Sequence, residues 1–237
     1  SGQPGTVTLA ASPLGIIDVP ASLNVAADRL VLQIPVTATA TGEVELTAQY
    51  GLLSASIRVR VSEVAPNLVI NEINFDMSNP ESQEFVEVYN PTGANVDVRD
   101  WTLEFVNGNN SQVYKSVSLA TVPGGVIPAN GYLVIGDAAV AATLEPGAIF
   151  LDMQSSGDDH DIQNGPQDGV RLIKAIGDDR MVVDSMTYEG VNDGVTEGQT
   201  GAPDDSDDDV AGVCRCPNGV DTDDNGADFQ LQPLSPG

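Results

Sequence analysis

Hydrophobic and polar residues alternate with a period of two through much of the first 64 residues. The alternation runs through 42–50 and resumes through 53–61. This period is typical of β-strands that bury one face. Tyr50-Gly51 lies between the two runs, and we expect a hairpin turn there. Shorter apolar runs predict three further strands, at 7–11, 23–26 and 30–39.

The pattern changes at Leu68, where short apolar runs are separated by Gly, Pro, Asn and Asp. Such punctuation is typical of a protein built from many short strands. No amphipathic pattern of ten or more residues predicts a helix, and 138–144 predicts one or two helical turns. The Gly-, Asp- and Pro-rich segment 190–212 predicts a long mobile loop before the last strand. The predicted strands are 68–73, 84–90, 96–98, 100–103, 132–135, 170–173 and 181–188.

The length of 237 residues predicts one or two domains, each large enough to bury a core. Residues 64–67 have the composition of a short linker, and Pro66 restricts its neighbour to extended geometry. We therefore place a domain boundary there, with one domain at 1–64 and a second at 65–237.

The formal net charge of −26 narrows the range of partners. A field of this sign repels phosphate backbones and anionic membrane surfaces, so we expect no nucleic-acid binding. No run of about eighteen apolar residues predicts membrane insertion. Cations, and calcium above all, are the ligands that this charge attracts. The alternative is that the acidity only keeps the protein soluble.

Residues 19–25 (VPASLNV), 35–39 (PVTAT) and the closing hairpin resemble bacterial immunoglobulin-like repeats. The resemblance implies that 1–64 forms an immunoglobulin-like β-sandwich. Such repeats carry one or two more strands before the position of Val7. Either those strands are missing, or the domain is short and leaves a sheet edge exposed.

The second half resembles the lamin tail domain family over 68 to about 233, on several motifs that occur in the family's order. The resemblance implies an immunoglobulin-like sandwich for 65–237, and hence an all-β protein of two tandem immunoglobulin-like β-sandwiches. It also implies an exported bacterial protein in which adhesive repeats or a nuclease lie nearby. The motifs are NE (71–72), EFVEVYNP (84–91), VDVRDWTL (96–103), PANGYLVI (128–135), NGPQDGV (164–170) and RCPNG (215–219).

Catalytic signatures are absent from the sequence. His160 is the single histidine, in an Asp-rich stretch that predicts a solvated loop, with a His/Asp metal site as the alternative. No nucleophile elbow, zinc-protease motif or phosphate-binding glycine loop is present. Glu72, Glu84 and Glu87 belong to the family pattern, and we expect them to bond backbone groups or arginines near strand ends. The sequence therefore predicts a protein that is not an enzyme.

Calcium is the best-supported cofactor that the sequence suggests. Asp221, Asp223 and Asn225, followed by Gly226, match the first half of a calcium-binding loop. Asp228 is an additional candidate ligand. The match fails at the twelfth position, where Gln232 replaces the expected glutamate. The alternative is a tight turn rich in Asp and Asn, with no ion.

Cys214 and Cys216 are the two cysteines, and one such pair supplies too few ligands for zinc. A disulfide between them would close a small ring, and two reduced thiols are the alternative.

These features predict a non-catalytic binding or structural module of a larger extracellular or cell-surface protein, with an adhesive role. We expect a monomer whose partner is a protein or glycan at the cell surface. The alternative is an accessory domain that positions a secreted nuclease or other hydrolase on its substrate.

Overall fold

The computed structural model describes residues 5–26, 32–61, 67–77, 82–153, 162–204 and 211–237. Strands make up 49% of the structure and helices 7%, so the predicted all-β immunoglobulin-like class is confirmed. The chain divides into two compact units, residues 1–65 and 66–237. In the described ranges, no helix has the length and apolar character needed to cross a membrane.

The first unit contains an antiparallel four-stranded sheet in the order β3-β1-β5-β6 and a two-stranded sheet formed by β2 and β4. Ile17, Val44 and Leu46 form its small buried core. The strands are β1 (Gly5–Ser12), β2 (Ile17–Asp18), β3 (Ser22–Val25), β4 (Thr37–Ala38), β5 (Gly42–Tyr50) and β6 (Leu53–Val61).

The predicted hairpin of the first unit is confirmed, but its turn lies one residue later than expected. Tyr50 pairs with Leu53, so the turn residues are Gly51 and Leu52, and Gly51 has a φ of 60°. Glycine adopts this left-handed conformation without the steric penalty of a Cβ atom. The predicted strand at 30–39 is wrong for its described part, where only Thr37–Ala38 is a strand. Residues 30 and 31 lie outside the described residues.

The second unit forms two larger sheets, in the orders β11-β10-β15-β16 and β14-β13-β8-β7-β17-β18, with β9 and β12 as a separate pair. All of these pairings are antiparallel except that of β13 with β14. The strands are β7 (Val69–Asn74), β8 (Phe85–Tyr89), β9 (Val96–Asp97), β10 (Trp101–Asn107), β11 (Gln112–Ser118), β12 (Val126–Ile127), β13 (Tyr132–Gly136), β14 (Ile149–Asp152), β15 (Gly169–Ile176), β16 (Asp179–Thr187), β17 (Ala211–Arg215) and β18 (Phe229–Pro233).

The hydrophobic core of the second unit lies between these two sheets. Leu103, Phe105 and Leu172 come from one sheet, and Ile70 and Val86 come from the other; all are fully buried. The alternating strands therefore turn their apolar faces toward each other, as in a β-sandwich. Burial of these side chains is the main stabilising contribution to the fold.

Helices in the described part of the chain are short. One 3₁₀ helix, Ala138–Ala142, occupies the position where one or two helical turns are predicted. Two further 3₁₀ helices are Leu119–Thr121 and Pro123–Gly125, and the α-helical turn α1 spans Asn225–Asp228.

The predicted loop is confirmed for residues 190–204, which form no named strand or helix, but part of it is packed against the second unit. Asn192, Val195 and Ala202 are buried against the second unit, with 3% of each side chain exposed. Ser185 Oγ donates to the carbonyl of Val195 at 2.7 Å, which fixes this segment beside β16. The final part also differs, because β17 begins at Ala211. Residues 205–210 lie outside the described residues.

Candidate functional site around Arg215

The predicted calcium loop folds as a capped helical turn that leads into β18. The Asp224 carboxylate accepts a hydrogen bond from the Ala227 amide at the start of α1. Asp223 adopts a left-handed φ of 55° and is exposed. Asp residues are favoured both as helix caps and at such turn positions. The local sequence thus has a structural role that does not require an ion.

Two of the four predicted calcium ligands are occupied by hydrogen bonds within the protein. Asp228 is 4% exposed and accepts from the Thr222 amide at 2.8 Å and from Thr222 Oγ1 at 2.6 Å. Asn225 is fully buried and accepts from the amides of Thr187 and Glu197. Asp221 and Asp228 both accept hydrogen bonds from Arg215 Nη1, whereas Asp223 is exposed in the turn. Calcium binding by these four residues stays a prediction.

Arg215 is fully buried at the end of β17 and organises this region. Its Nη1 donates to Asp228 at 2.7 Å and to Asp221 at 3.1 Å, and its Nη2 donates to Asp184 at 3.2 Å. The guanidinium also lies over the Phe229 ring, 4.5 Å from its centroid. Its remaining polar partners are the carbonyls of Ile70 and Val220. A buried arginine requires such complete pairing.

The carboxylates around Arg215 outnumber its single positive charge. Asp184, Asp221 and Asp228 pair with it, and Glu197 lies close to two of these acids. Burial raises the pKa of Asp184, although Arg215 opposes this effect. Burial and the charges of Asp184 and Asp221 raise the pKa of Glu197. The cluster therefore favours an added proton or a bound cation.

Asp184, Glu197 and Asp221 are the side chains that could hold a cation here. One oxygen from each lies within 4.8 Å of the others. Hard carboxylate oxygens at this spacing match the ligand preference of calcium. Only Asp221 belongs to the predicted set of ligands. A second group with the same spacing consists of Asp76, Glu189 and Asp204.

The three glutamates of the family pattern are buried and bond backbone groups, as expected. Glu72 accepts from the Ser235 amide at 3.0 Å, and Glu87 accepts from the Gly237 amide at 2.6 Å. Glu84 accepts from the Ile162 amide at 3.3 Å. Burial raises the pKa of Glu87 to about 7. These hydrogen bonds hold the C-terminal residues and the segment at Ile162 against β7 and the start of β8.

Both cysteines are free thiols in the structure, Cys214 buried and Cys216 exposed. Burial, followed by the neighbouring Glu72 charge, raises the pKa of the Cys214 thiol. A protonated, buried thiol is unreactive. His160 and its aspartate neighbours lie outside the described residues.

Sequence reasoning missed Arg215, Asp184 and Glu197 as one cluster. The available signal was Arg215 itself, a lone charge at the end of the apolar run 211–214. A charged residue that follows a buried strand is expected to need a partner. Its partner Asp184 is 31 positions away, and no local pattern identifies it.

Comparisons with known proteins identify the family. A family model described as the Lamin Tail Domain matches residues 62–190, more than half of the chain. Comparison with curated proteins gave no match, and neither did comparison with solved structures. The match spans β7 to β16 and ends before the cluster around Arg215 is complete. The immunoglobulin-like sandwich and the matched range together place this chain in the lamin tail domain family.

Proposed function

We propose that this chain is a non-catalytic binding or structural module of a larger secreted or cell-surface protein of bacterial type, with an immunoglobulin-like repeat before its lamin tail domain. One observation carries the non-catalytic role. The glutamates of the family pattern, Glu72, Glu84 and Glu87, are buried and accept hydrogen bonds from backbone amides. Buried acids held in this way stabilise a fold and do not face a substrate. The net charge of −26 repels phosphate backbones, which further supports a role that does not involve nucleic-acid binding.

Turnover assays on the full chain test the non-catalytic role. The substrates are plasmid DNA, RNA, p-nitrophenyl esters and glycosides, and casein, each with chelator and with calcium. We expect no turnover above the buffer rate. Turnover that disappears in the Glu72→Gln, Glu87→Gln double variant would show that the buried acids perform chemistry and would overturn the proposal.

Calcium stabilisation is a second proposal, favoured by the three carboxylates that converge beside Arg215. An ion that binds only the folded state raises stability by about 2.7 kcal/mol when its concentration is a hundredfold above Kd. We therefore expect the thermal unfolding midpoint to rise between excess chelator and millimolar calcium. Magnesium serves as the control for a general charge effect, because it prefers a tighter octahedral site.

Two variants distinguish the cluster from the predicted loop. Glu197→Gln removes a candidate carboxylate ligand from the cluster, whereas Asp223→Ala removes one from the predicted loop and leaves the three acids of the cluster in place. We expect the calcium-dependent shift to fall in Glu197→Gln and to persist in Asp223→Ala. The reverse result would assign calcium to the loop, and no shift in the unmodified chain would contradict calcium binding altogether.

In the alternative function, this chain is also non-catalytic, but it positions a secreted nuclease or other hydrolase on its substrate. This alternative predicts that a nuclease or other hydrolase domain is encoded beside these 237 residues and that its KM rises when they are deleted. An adhesive module predicts neighbouring immunoglobulin-like repeats and an unchanged KM for any enzyme encoded nearby. Sequencing the flanking regions and measuring KM separate the two settings.

A further inference from the structure

The outer edge of β6 has no strand partner among the described residues. β6 is the last strand of its sheet, and in the described residues it pairs only with β5. The pairing runs through nine residues with no register shift, and β6 contains no proline. A long, regular edge of this kind presents a row of unpaired backbone N–H and C=O groups.

One face of β6 is apolar and incompletely covered. Val59 and Val61 pack against the small core of the first unit. On the same face, Leu53 is 73% exposed and Ile57 is 62% exposed. Ile57 pairs with Leu46 of β5, which is only 6% exposed. The hydrophobic core of the first unit therefore covers β5 at this position but not β6. A partner strand beside β6 would extend the sheet and cover these side chains.

The other face of β6 carries Arg58 and Arg60, both exposed. They pair across the ladder with Glu45 and Glu43 of β5, and neither arginine forms an ion pair or a side-chain hydrogen bond with another described residue. Their outer sides are open to a carboxylate from an added strand. Opposite charges directly across a strand pair stabilise the pairing.

We propose that the outer edge of β6 binds an extended acidic segment of a partner protein by β-strand addition. Backbone hydrogen bonds supply the affinity, and alternate side chains supply the specificity. Carboxylates of the segment lie beside Arg58 and Arg60, and the intervening apolar side chains cover Ile57 and its neighbours. The required pattern, acidic and apolar residues in alternation, is the one with which β5 already pairs with β6 at 43–46. This inference rests on the proposed binding role and specifies the partner's chemistry.

A synthetic peptide with the sequence of β5, GEVELTAQY, is the probe, and the full chain is the receptor. The control peptide replaces both glutamates by lysine. We expect binding of the first peptide by fluorescence anisotropy, with amide chemical-shift changes concentrated in 53–61. Binding should weaken as salt is raised, because exposed charges are screened. Equal binding of the lysine peptide, or shift changes elsewhere, would overturn the proposal.

Variants locate the contact. Arg58→Glu with Arg60→Glu is expected to weaken peptide binding about tenfold, since each exposed pair contributes modestly. Ile57→Lys is expected to weaken it to a similar extent, whereas Leu14→Lys, at a residue 87% exposed in the same unit, should have no effect. Sedimentation of the chain alone tests the competing occupant. Self-association that Ile57→Lys abolishes would show that β6 pairs with a second copy, and it would overturn the proposal.

The turnover assays do not involve β6, so failure of the peptide to bind leaves the non-catalytic role intact. Turnover dependent on Glu72 and Glu87 would overturn that role whatever the peptide result. The two proposals therefore fail by different measurements.

Discussion

Asn90 shows how a single side chain can fix a turn in this fold. It is fully buried at the end of β8, and its Nδ2 donates to the carbonyls of Ile127 at 3.0 Å and Pro128 at 2.7 Å. Its Oδ1 accepts from the Thr92 amide at 3.0 Å. The side chain thus ties the end of β12 to the loop that follows β8.

Replacement of Asn90 by alanine should destabilise the second unit by about 2–3 kcal/mol, because buried carbonyls lose their donor. Urea unfolding monitored by Trp101 fluorescence measures the change. Asn95→Ala is the matched control, since Asn95 is exposed and accepts one bond, from the Ala129 amide. A loss in Asn90→Ala no larger than that of the control would contradict this role.

Residues in continuous motifs could be assigned from the sequence, whereas the cluster around Arg215 could not. Glu72 and Glu87 lie in short apolar runs that predict strands, and bonding to backbone groups or arginines was expected of them. Asp184 and Arg215 meet because β16 and β17, in different sheets, approach one another in the folded unit. A periodic pattern describes one element and carries no information about such a meeting.

At the scale of elements, the sheet of β10, β15 and β16 is joined by an ionic contact as well as by its ladder. Glu104 is 3% exposed and lies directly across from Arg171, whose Nε donates to it at 2.9 Å. Arg180 of β16 donates to its other oxygen at 2.5 Å. Burial acts to raise the pKa of Glu104, but hydrogen bonds from Arg180 and Arg171 leave it below the ordinary value.

Glu104→Gln should reduce the free energy of unfolding by about 1–3 kcal/mol, because both charge-assisted hydrogen bonds weaken. Asp97→Asn is the control. Its pair with Arg99 is more than half exposed on both sides, and exposed pairs contribute at most about 1 kcal/mol. Equal losses in the two variants, measured by urea unfolding, would show that burial adds nothing to the Glu104 contact.

The strand β6 shows why alternation predicts an element better than its burial. The alternation placed the β5–β6 hairpin correctly to within one residue. It also predicted a buried face along the whole of β6, and that prediction is wrong at Leu53 and Ile57, which are exposed. Period two identifies a face that is able to pack, but coverage depends on the size of the opposing sheet. In this unit the described opposing sheet has two strands.

At the scale of the whole molecule, the acidic excess extends into the interior. Burial raises the pKa values of Glu72, Glu87, Asp168 and Asp184, and Glu87 reaches about 7. A carboxyl group whose pKa is higher in the folded state stabilises that state while it is protonated. This contribution is complete below the unfolded value of about 4.5 and is lost as the pH rises toward 7.

Stability should therefore fall between pH 5 and pH 7.5, and Glu87→Gln should remove part of this fall. One group that titrates over this range changes the free energy of unfolding by up to about 1.4 kcal/mol per pH unit. We therefore expect the fall in the free energy of unfolding between the two pH values to be smaller by about 2 kcal/mol in Glu87→Gln than in the unmodified chain. Urea unfolding at both pH values measures it. Parallel pH profiles for the two proteins would show that the pKa of Glu87 is the same in the folded and unfolded states.

The buried ion pairs of Arg215 with Asp184, Asp221 and Asp228 maintain the fold of the second unit. The direct measurement is the free energy of unfolding of Arg215→Met at pH 7.5, compared with Arg99→Met at an exposed ion pair. Removing one partner of a buried ion pair leaves uncompensated charge, so we predict a loss of about 3–5 kcal/mol, against at most about 1 kcal/mol for the control. A loss in Arg215→Met no greater than that of Arg99→Met would contradict the structural role of the cluster.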